Sequence, residues 1–136
     1  MIRSILAVIA GSVTWMITAL GTDQLILNFF PHWFTAEGKT DKIGVLLLMM
    51  LYSLSFSVLG GFVTGILAKR DELKHAFFLG LLQFAMGLMA TIQFWDMAPI
   101  WYHIIFMGLL IPANMFGGWL RAKQQSQKSQ TRLRLA

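Results

Sequence analysis

The chain has 136 residues, of which 57% are hydrophobic and 12% are charged, and it carries a net charge of +5 and no cysteine. An average soluble domain has about 25% charged residues, so the charged fraction is too low for an ordinary soluble protein. The absence of cysteine excludes disulfide bonds, thiolate chemistry and cysteine-ligated metal sites.

The charged residues leave four long uncharged runs, which cover residues 4–22, 43–68, 75–95 and 97–120 and hold 19, 26, 21 and 24 residues. A helix rises about 1.5 Å per residue, so about 20 apolar residues cross a hydrocarbon core ~30 Å thick. This predicts an all-α membrane protein with four transmembrane helices over about 4–20, 43–68, 75–95 and 100–120. A buried soluble core is the alternative, but the chain has too little polar surface to cover four such segments.

The first run follows a single cation, Arg3. An apolar segment after an N-terminal cation is also typical of a secretory signal peptide, and Ala19 and Gly21 are small residues of the kind found at a cleavage site. The run is long for the apolar part of a signal peptide, so we interpret it as the first span.

Residues 21–42 form the longest predicted connection, an external loop at the membrane interface. Its apolar stretch, residues 25–34, is too short to cross the bilayer, and Pro31 interrupts any helix through it. Four aromatic residues are typical of a belt at the headgroup level: Phe29, Phe30, Trp33 and Phe34.

Short polar segments separate the later spans. Residues 69–74 predict a tight hairpin in which Asp71 and Glu72 help to begin the third helix, because negative charge stabilises a helix N-terminus. Residues 96–99 predict the next turn, and Pro112 predicts a kink in the fourth helix.

Most cations are predicted at one end of the bundle. Four spans place both termini and the 69–74 hairpin on one side with nine of the eleven Lys and Arg residues, and only Lys39 and Lys42 lie opposite. The positive-inside rule then predicts that both termini are cytoplasmic. The transmembrane domain covers residues 1–120, and the basic segment 121–136 is expected to be a disordered cytoplasmic tail. The charge is therefore a topology signal, and no nucleic-acid partner is expected.

Small and polar residues recur on one face of each span at spacings of three and four. In lipid, helices associate by close packing and interhelical hydrogen bonds, so such a stripe marks a helix–helix interface. The average spacing of about 3.5 residues predicts left-handed crossings. The predicted packing positions are Ala7, Gly11, Ser57, Gly60, Gly61, Gly65, Gly80, Gly87, Ala113 and Gly117.

Two amides are predicted at the same depth. Gln83 follows Ala76 by seven residues at the start of span three, and Asn114 precedes Arg121 by seven residues at the end of span four. Both should lie about 10 Å below the cytoplasmic interface and face each other or a shared polar spot. The simpler interpretation is an interhelical hydrogen bond. The alternative is a polar ligand site or a permeation path.

A second polar group is predicted at the external end and consists of Gln93, Asp96 and His103. A carboxylate near an imidazole suits a proton relay or a contact with a quinone head group, and the simpler interpretation is an ion pair that ties the turn to span four. His75 is predicted at the other end, which argues against a bis-histidine haem. The histidines lack metal-ligand spacing, so neither a metal site nor a cofactor is expected.

Spans two and four end alike, with Gly60–Gly61 and Gly117–Gly118 each followed by an aromatic residue and then by cations, which suggests an old duplication of a two-helix hairpin. Residues 60–121 also resemble a loosely defined set of small four-span bacterial inner-membrane proteins. The resemblance is carried by Gly60, Gly61, Gly65, Ala68, His75, Ala76, Gly80, Pro99, Trp101, Tyr102, Pro112, Ala113, Gly117, Gly118, Leu120 and Arg121. It implies the architecture and a bacterial inner membrane, and it implies no activity.

No Asp, Glu, Lys or Arg lies in the middle of a predicted span, and no phosphate-binding loop or catalytic triad is evident. Proton-coupled pumps usually need an intramembrane charge. We therefore expect a non-enzymatic accessory or assembly subunit that packs in the lipid bilayer against a larger membrane complex or against itself. One alternative is a small oligomeric transporter or channel whose path is lined by Gln83, Asn114, Thr64 and Thr14. The other is a quinone- or lipid-binding protein that uses Gln93, Asp96 and His103.

Overall fold

Four long α-helices make up most of the structure, a computed structural model that describes residues 2–135. They are α1 (Ile2–Phe29), α2 (Ile43–Ala68), α3 (Glu72–Gln93) and α4 (Ile100–Leu135), with short 3-10 turns at Pro31–Trp33 and Trp95–Met97. All four helices are long and apolar enough to cross a membrane. The described chain is thus all-helical and has the features of an α-helical membrane protein.

The four helices form one bundle. The most extensive contact joins α2 to α4, followed by α1 with α2 and α3 with α4, whereas α1 and α3 meet only over a short stretch. Large apolar side chains cover the outside; Ile17, Leu51 and Ile104 are 68%, 67% and 66% exposed. Such an outer surface is suited to lipid rather than to water.

The first helix is longer than the predicted span. α1 continues through residues 21–29, which the composition assigns to an external loop. A side chain at Gly21 would meet open space, and most of the residues that follow are tolerated in a helix. The helix ends at Phe29 because the ring of Pro31 disfavours the helical conformation in Phe30. The connection to α2 is therefore residues 30–42.

The hairpin between α2 and α3 is made by two residues in the left-handed region. Lys69 has φ 62° and Asp71 has φ 50°. This conformation costs a non-glycine residue about 1–3 kcal/mol, and the packing of the two helices must offset it. The Lys69 N–H donates to the Gly65 carbonyl at 3.4 Å. The Asp71 side chain makes no capping hydrogen bond, so only its charge and that of Glu72 remain to favour the start of α3.

The expected disordered tail is wrong for residues 121–135, because α4 continues through them to Leu135. This segment contains no glycine or proline, and Gln, Arg, Lys and Leu are good helix formers. An extension of an existing helix also avoids the unfavourable nucleation step. Pro112 lies inside α4, and the helix continues on both sides of it.

Parts of all four helices lie close together at one end of the bundle. Arg3 Nε donates to the Leu67 carbonyl at 2.9 Å. A methyl group added at Gly65 would lie 3.0 Å from Arg121 and 3.4 Å from Glu72. The start of α1, the end of α2, the start of α3 and residue 121 of α4 are therefore neighbours. We call this end, marked by Arg3, Lys69 and Arg121, the basic end.

Candidate functional site

The amides of Gln83 and Asn114 are in contact, as their matched depth predicts. Asn114 Nδ2 donates to Gln83 Oε1 at 2.9 Å and also lies 2.8 Å from the Leu110 carbonyl. Ser57 Oγ approaches the same Gln83 oxygen at 3.2 Å. All three side chains are 0% exposed. One polar cluster therefore joins α2, α3 and α4 inside the bundle.

Two atoms of this cluster have no hydrogen-bond partner among the described residues. They are Gln83 Nε2, which is a donor, and Asn114 Oδ1, which is an acceptor. An unpaired buried polar group costs about 1–3 kcal/mol. The cluster thus fixes how three helices meet, but it is less than fully satisfied.

Glycines allow the backbones around the cluster to approach closely. A methyl group at Gly61 would overlap the Asn114 carbonyl, and one at Gly117 would overlap the Val58 carbonyl. One at Gly11 would overlap Thr64 Oγ1 and lie 2.7 Å from the Gly60 carbonyl. These contacts leave no room for side chains where α2 crosses α4 and α1.

Eight of the ten predicted packing positions are buried and two are half-buried. The half-buried positions are Gly87 and Ala113. A methyl group at Gly87 would lie 2.8 Å from Met107 Sδ, which belongs to a flexible side chain that can move aside. The buried positions are Ala7, Gly11, Ser57, Gly60, Gly61, Gly65, Gly80 and Gly117.

The structure does not bring Gln93, Asp96 and His103 into one site. His103 Nε2 lies 3.3 Å from the Trp95 carbonyl, and its ring stacks on Trp95 at 5.7 Å between centroids. Asp96 and His103 form no ion pair; within residues 2–135 the one salt bridge joins Lys39 and Glu37 at 3.2 Å. The predicted pairing is wrong because the 3-10 turn at Trp95–Met97 presents a backbone carbonyl, not the carboxylate, to the imidazole.

A chamber of about 370 Å³ lies toward the opposite end of the bundle from the basic end. His103, Tyr102 and Phe106 of α4 line it, together with residues from the other three helices. The wall includes four methionines: Met16, Met49, Met86 and Met97. Its volume falls in the range of small-molecule sites, about 300–1,000 Å³. Neither Gln93 nor Asp96 contributes to its wall.

Side chains of all four helices leave the chamber unfilled. Glycine and serine let the helices close around Gln83, whereas methionine, aromatic and small residues together line the space nearer the 30–42 connection. That connection covers part of the chamber: Phe34 and Thr40 line it, and the Thr40 N–H donates to the Met97 carbonyl at 3.4 Å. Sequence patterning gave no direct signal for this space, since it depends on which bulky residues of different helices face each other.

Sequence reasoning also missed a polar contact between α1 and α2. The Tyr52 hydroxyl donates to a carboxylate oxygen of Asp23. The composition places Asp23 in a loop, but the longer α1 carries it alongside Tyr52. The available signal was Tyr52 itself, because a tyrosine within an apolar helix usually needs a partner for its hydroxyl.

Among residues 2–135, no group of three or more His, Asp or Glu side chains is arranged to hold a metal ion. Comparison of the chain with protein-family models, with curated proteins and with solved structures gives no significant match. The resemblance of residues 60–121 to small bacterial membrane proteins therefore stays a prediction. The class of the protein rests on its own four apolar helices.

Proposed function

We propose that this chain is a non-enzymatic accessory subunit that docks onto a larger membrane complex through the basic extension of α4, residues 121–135. The observation that carries the proposal is that this extension is helical and projects beyond the bundle. Its fifteen residues add about 22 Å of helix at about 1.5 Å per residue. Residues 126–135 are all exposed.

The charge of the extension indicates the kind of partner. It contains five cations and no acidic residue: Arg121, Lys123, Lys128, Arg132 and Arg134. Lys128 and Arg132 follow Arg121 by seven and eleven residues, so the three cations share one helix face. Like charges on one helix repel each other, and an acidic partner surface would remove that cost. The partner face we propose is therefore acidic.

The orientation that goes with this proposal places both termini in the cytoplasm of a bacterial inner membrane. Its support is the basic end, where Arg3 and Arg121 lie beside the Lys69–Lys74 hairpin, together with the positive-inside rule. We also retain left-handed crossings and the two-hairpin duplication as proposals, since the spacing of small residues and the paired glycines favour them.

A transporter or channel through Gln83 and Asn114 is supported less well. A permeation path needs polar groups that reach water, but Gln83, Asn114 and Thr64 are each 0% exposed. Thr64 Oγ1 instead donates to the Ala7 carbonyl at 3.2 Å, which joins α1 to α2. These contacts favour a packing role for the polar residues.

The test is purification of the full chain in mild detergent, followed by mass spectrometry of the proteins that remain bound and of the intact assembly. The informative variant is Lys128→Glu with Arg132→Glu, which reverses charge on the exposed extension. The matched control is Lys39→Glu, a charge reversal outside the extension. We expect the double variant to lose a specific bound protein that the wild type and the control retain. An identical set of bound proteins in all three samples would contradict the proposal.

A further inference from the structure

We propose that the chamber is a binding site for a lipophilic molecule with a small hydrogen-bonding ring as its head, such as a quinone or quinol. This inference is independent of the docking role of residues 121–135. It rests on the shape of the chamber, the chemistry of its wall and the free hydrogen-bonding groups of two adjacent α4 residues, Tyr102 and His103.

Exposed side chains of α1 and α3 line the chamber, which points to an opening toward lipid between these two helices. Met16 and Leu20 of α1 line it and are 37% and 56% exposed. Met86 of α3 lines it and is 38% exposed. These are the two helices that meet only over a short stretch. An apolar molecule dissolved in the bilayer can therefore enter sideways, without passing through water.

The wall favours a flat, uncharged ring over a phospholipid head. Among the described residues, no Lys or Arg lines the chamber, so it offers no partner for a phosphate group. Aromatic side chains can stack on a planar ring, and flexible methionines adapt to an alkyl or prenyl chain. The aromatic lining consists of Trp15, Phe34, Phe94, Tyr102 and Phe106.

Two neighbouring side chains supply hydrogen bonds to such a ring. The Tyr102 hydroxyl makes no hydrogen bond to another described residue, so it is free to donate to a ring oxygen. The His103 Nε2 faces the Trp95 carbonyl at 3.3 Å, and a carbonyl only accepts, so Nε2 carries the proton. Nδ1 of a neutral His103 then remains as an acceptor for a ring hydroxyl. A donor beside an acceptor matches the oxygen of either a quinone or a quinol.

The experiment uses the full chain in nanodiscs of phosphatidylcholine, titrated with decylbenzoquinone while tryptophan fluorescence is followed. Decylbenzene, which has the same tail and no oxygen, is the competitor. We expect saturable quenching by the quinone, weak competition by decylbenzene, and a loss of affinity of about fivefold to tenfold in Tyr102→Phe, the effect of one hydrogen bond.

Two further variants keep the test decisive. Ala90→Phe adds bulk to the chamber wall and should abolish saturable quenching, whereas Met89→Phe adds an aromatic ring on the outer surface of the same helix and should leave it unchanged. Thermal unfolding of each variant identifies any that fails to fold.

Two outcomes would contradict the proposal. Equal binding of decylbenzene, with unchanged quinone affinity in Tyr102→Phe, would show that the chamber binds alkyl chains without recognising the ring. Unsaturable quenching in the wild type would exclude the site altogether. Neither outcome bears on docking through residues 121–135.

Discussion

Asn114 and Gln83 are separated by 31 positions in the chain, yet a hydrogen bond of 2.9 Å joins them where neither side chain is exposed. This contact fixes the height of α4 against α3. Inside a membrane, a hydrogen bond between helices contributes about 0.6–2 kcal/mol to stability. The Gln83–Asn114 pair is therefore a small contribution to the free energy of unfolding, but it favours one register of the two helices.

The Gln83–Asn114 pair gives a prediction about coupling. Gln83→Leu or Asn114→Leu alone should lower the free energy of unfolding by about 1–2 kcal/mol, because each leaves the other amide without its partner. The double variant should cost less than the sum of the two. Unfolding in mixed micelles with increasing dodecyl sulfate, analysed as a double-mutant cycle, measures this. Strict additivity of the two losses would show that the amides do not stabilise each other.

The glycine crossings predict a sharp difference between two Gly→Ala changes. Gly61→Ala should cost about 1–3 kcal/mol, since its methyl group overlaps the Asn114 carbonyl and the backbones must separate. Gly108→Ala meets open space and should be neutral or should stabilise the helix by about 0.5–1 kcal/mol. Thermal unfolding in detergent compares them. Similar melting temperatures for both variants would mean that the α2–α4 crossing is not this close.

The Asp23–Tyr52 contact predicts an effect that the sequence pattern does not. Tyr52→Phe removes the hydroxyl that donates to Asp23 and should lower the free energy of unfolding by about 1–2 kcal/mol. Tyr102→Phe is the matched control, because that hydroxyl has no partner among the described residues and its loss should leave stability unchanged. The same unfolding titration provides the comparison, and equal losses in the two variants would argue against the α1–α2 contact.

The proposed orientation can be tested cleanly because the chain has no cysteine. A single cysteine introduced as Glu37→Cys, in the 30–42 connection, should react with a membrane-impermeant maleimide added to intact cells. Ser126→Cys, in the α4 extension, should react only after the cells are permeabilised. Labelling of Ser126→Cys in intact cells would reverse the orientation and place the basic end outside.

Contacts between polar side chains could be predicted from the sequence only where helical geometry alone decides the position of a residue. Gln83 and Asn114 each lie seven residues from the charged end of a predicted span, at Ala76 and Arg121, which places both amides at one depth whatever the rotation of the helices. Asp96 and His103 gave a false pairing because they flank a turn, and the path of a turn depends on its backbone conformation. Asp23 was missed because the end of α1 depends on where a breaker occurs, and here that breaker is Pro31.

The amino-acid sequence by itself determined the number of membrane-length helices and the positions where they touch. Charge is confined to the ends and turns, and small residues recur on one face of each helix. Both patterns can be recognised in one segment of sequence without knowing which helix packs against it. The tertiary structure alone decided that side chains of all four helices leave a chamber toward the end of the bundle opposite the basic end. That outcome depends on which side chains of different helices share a level, and packing volume is a property of the assembled helices rather than of any one of them.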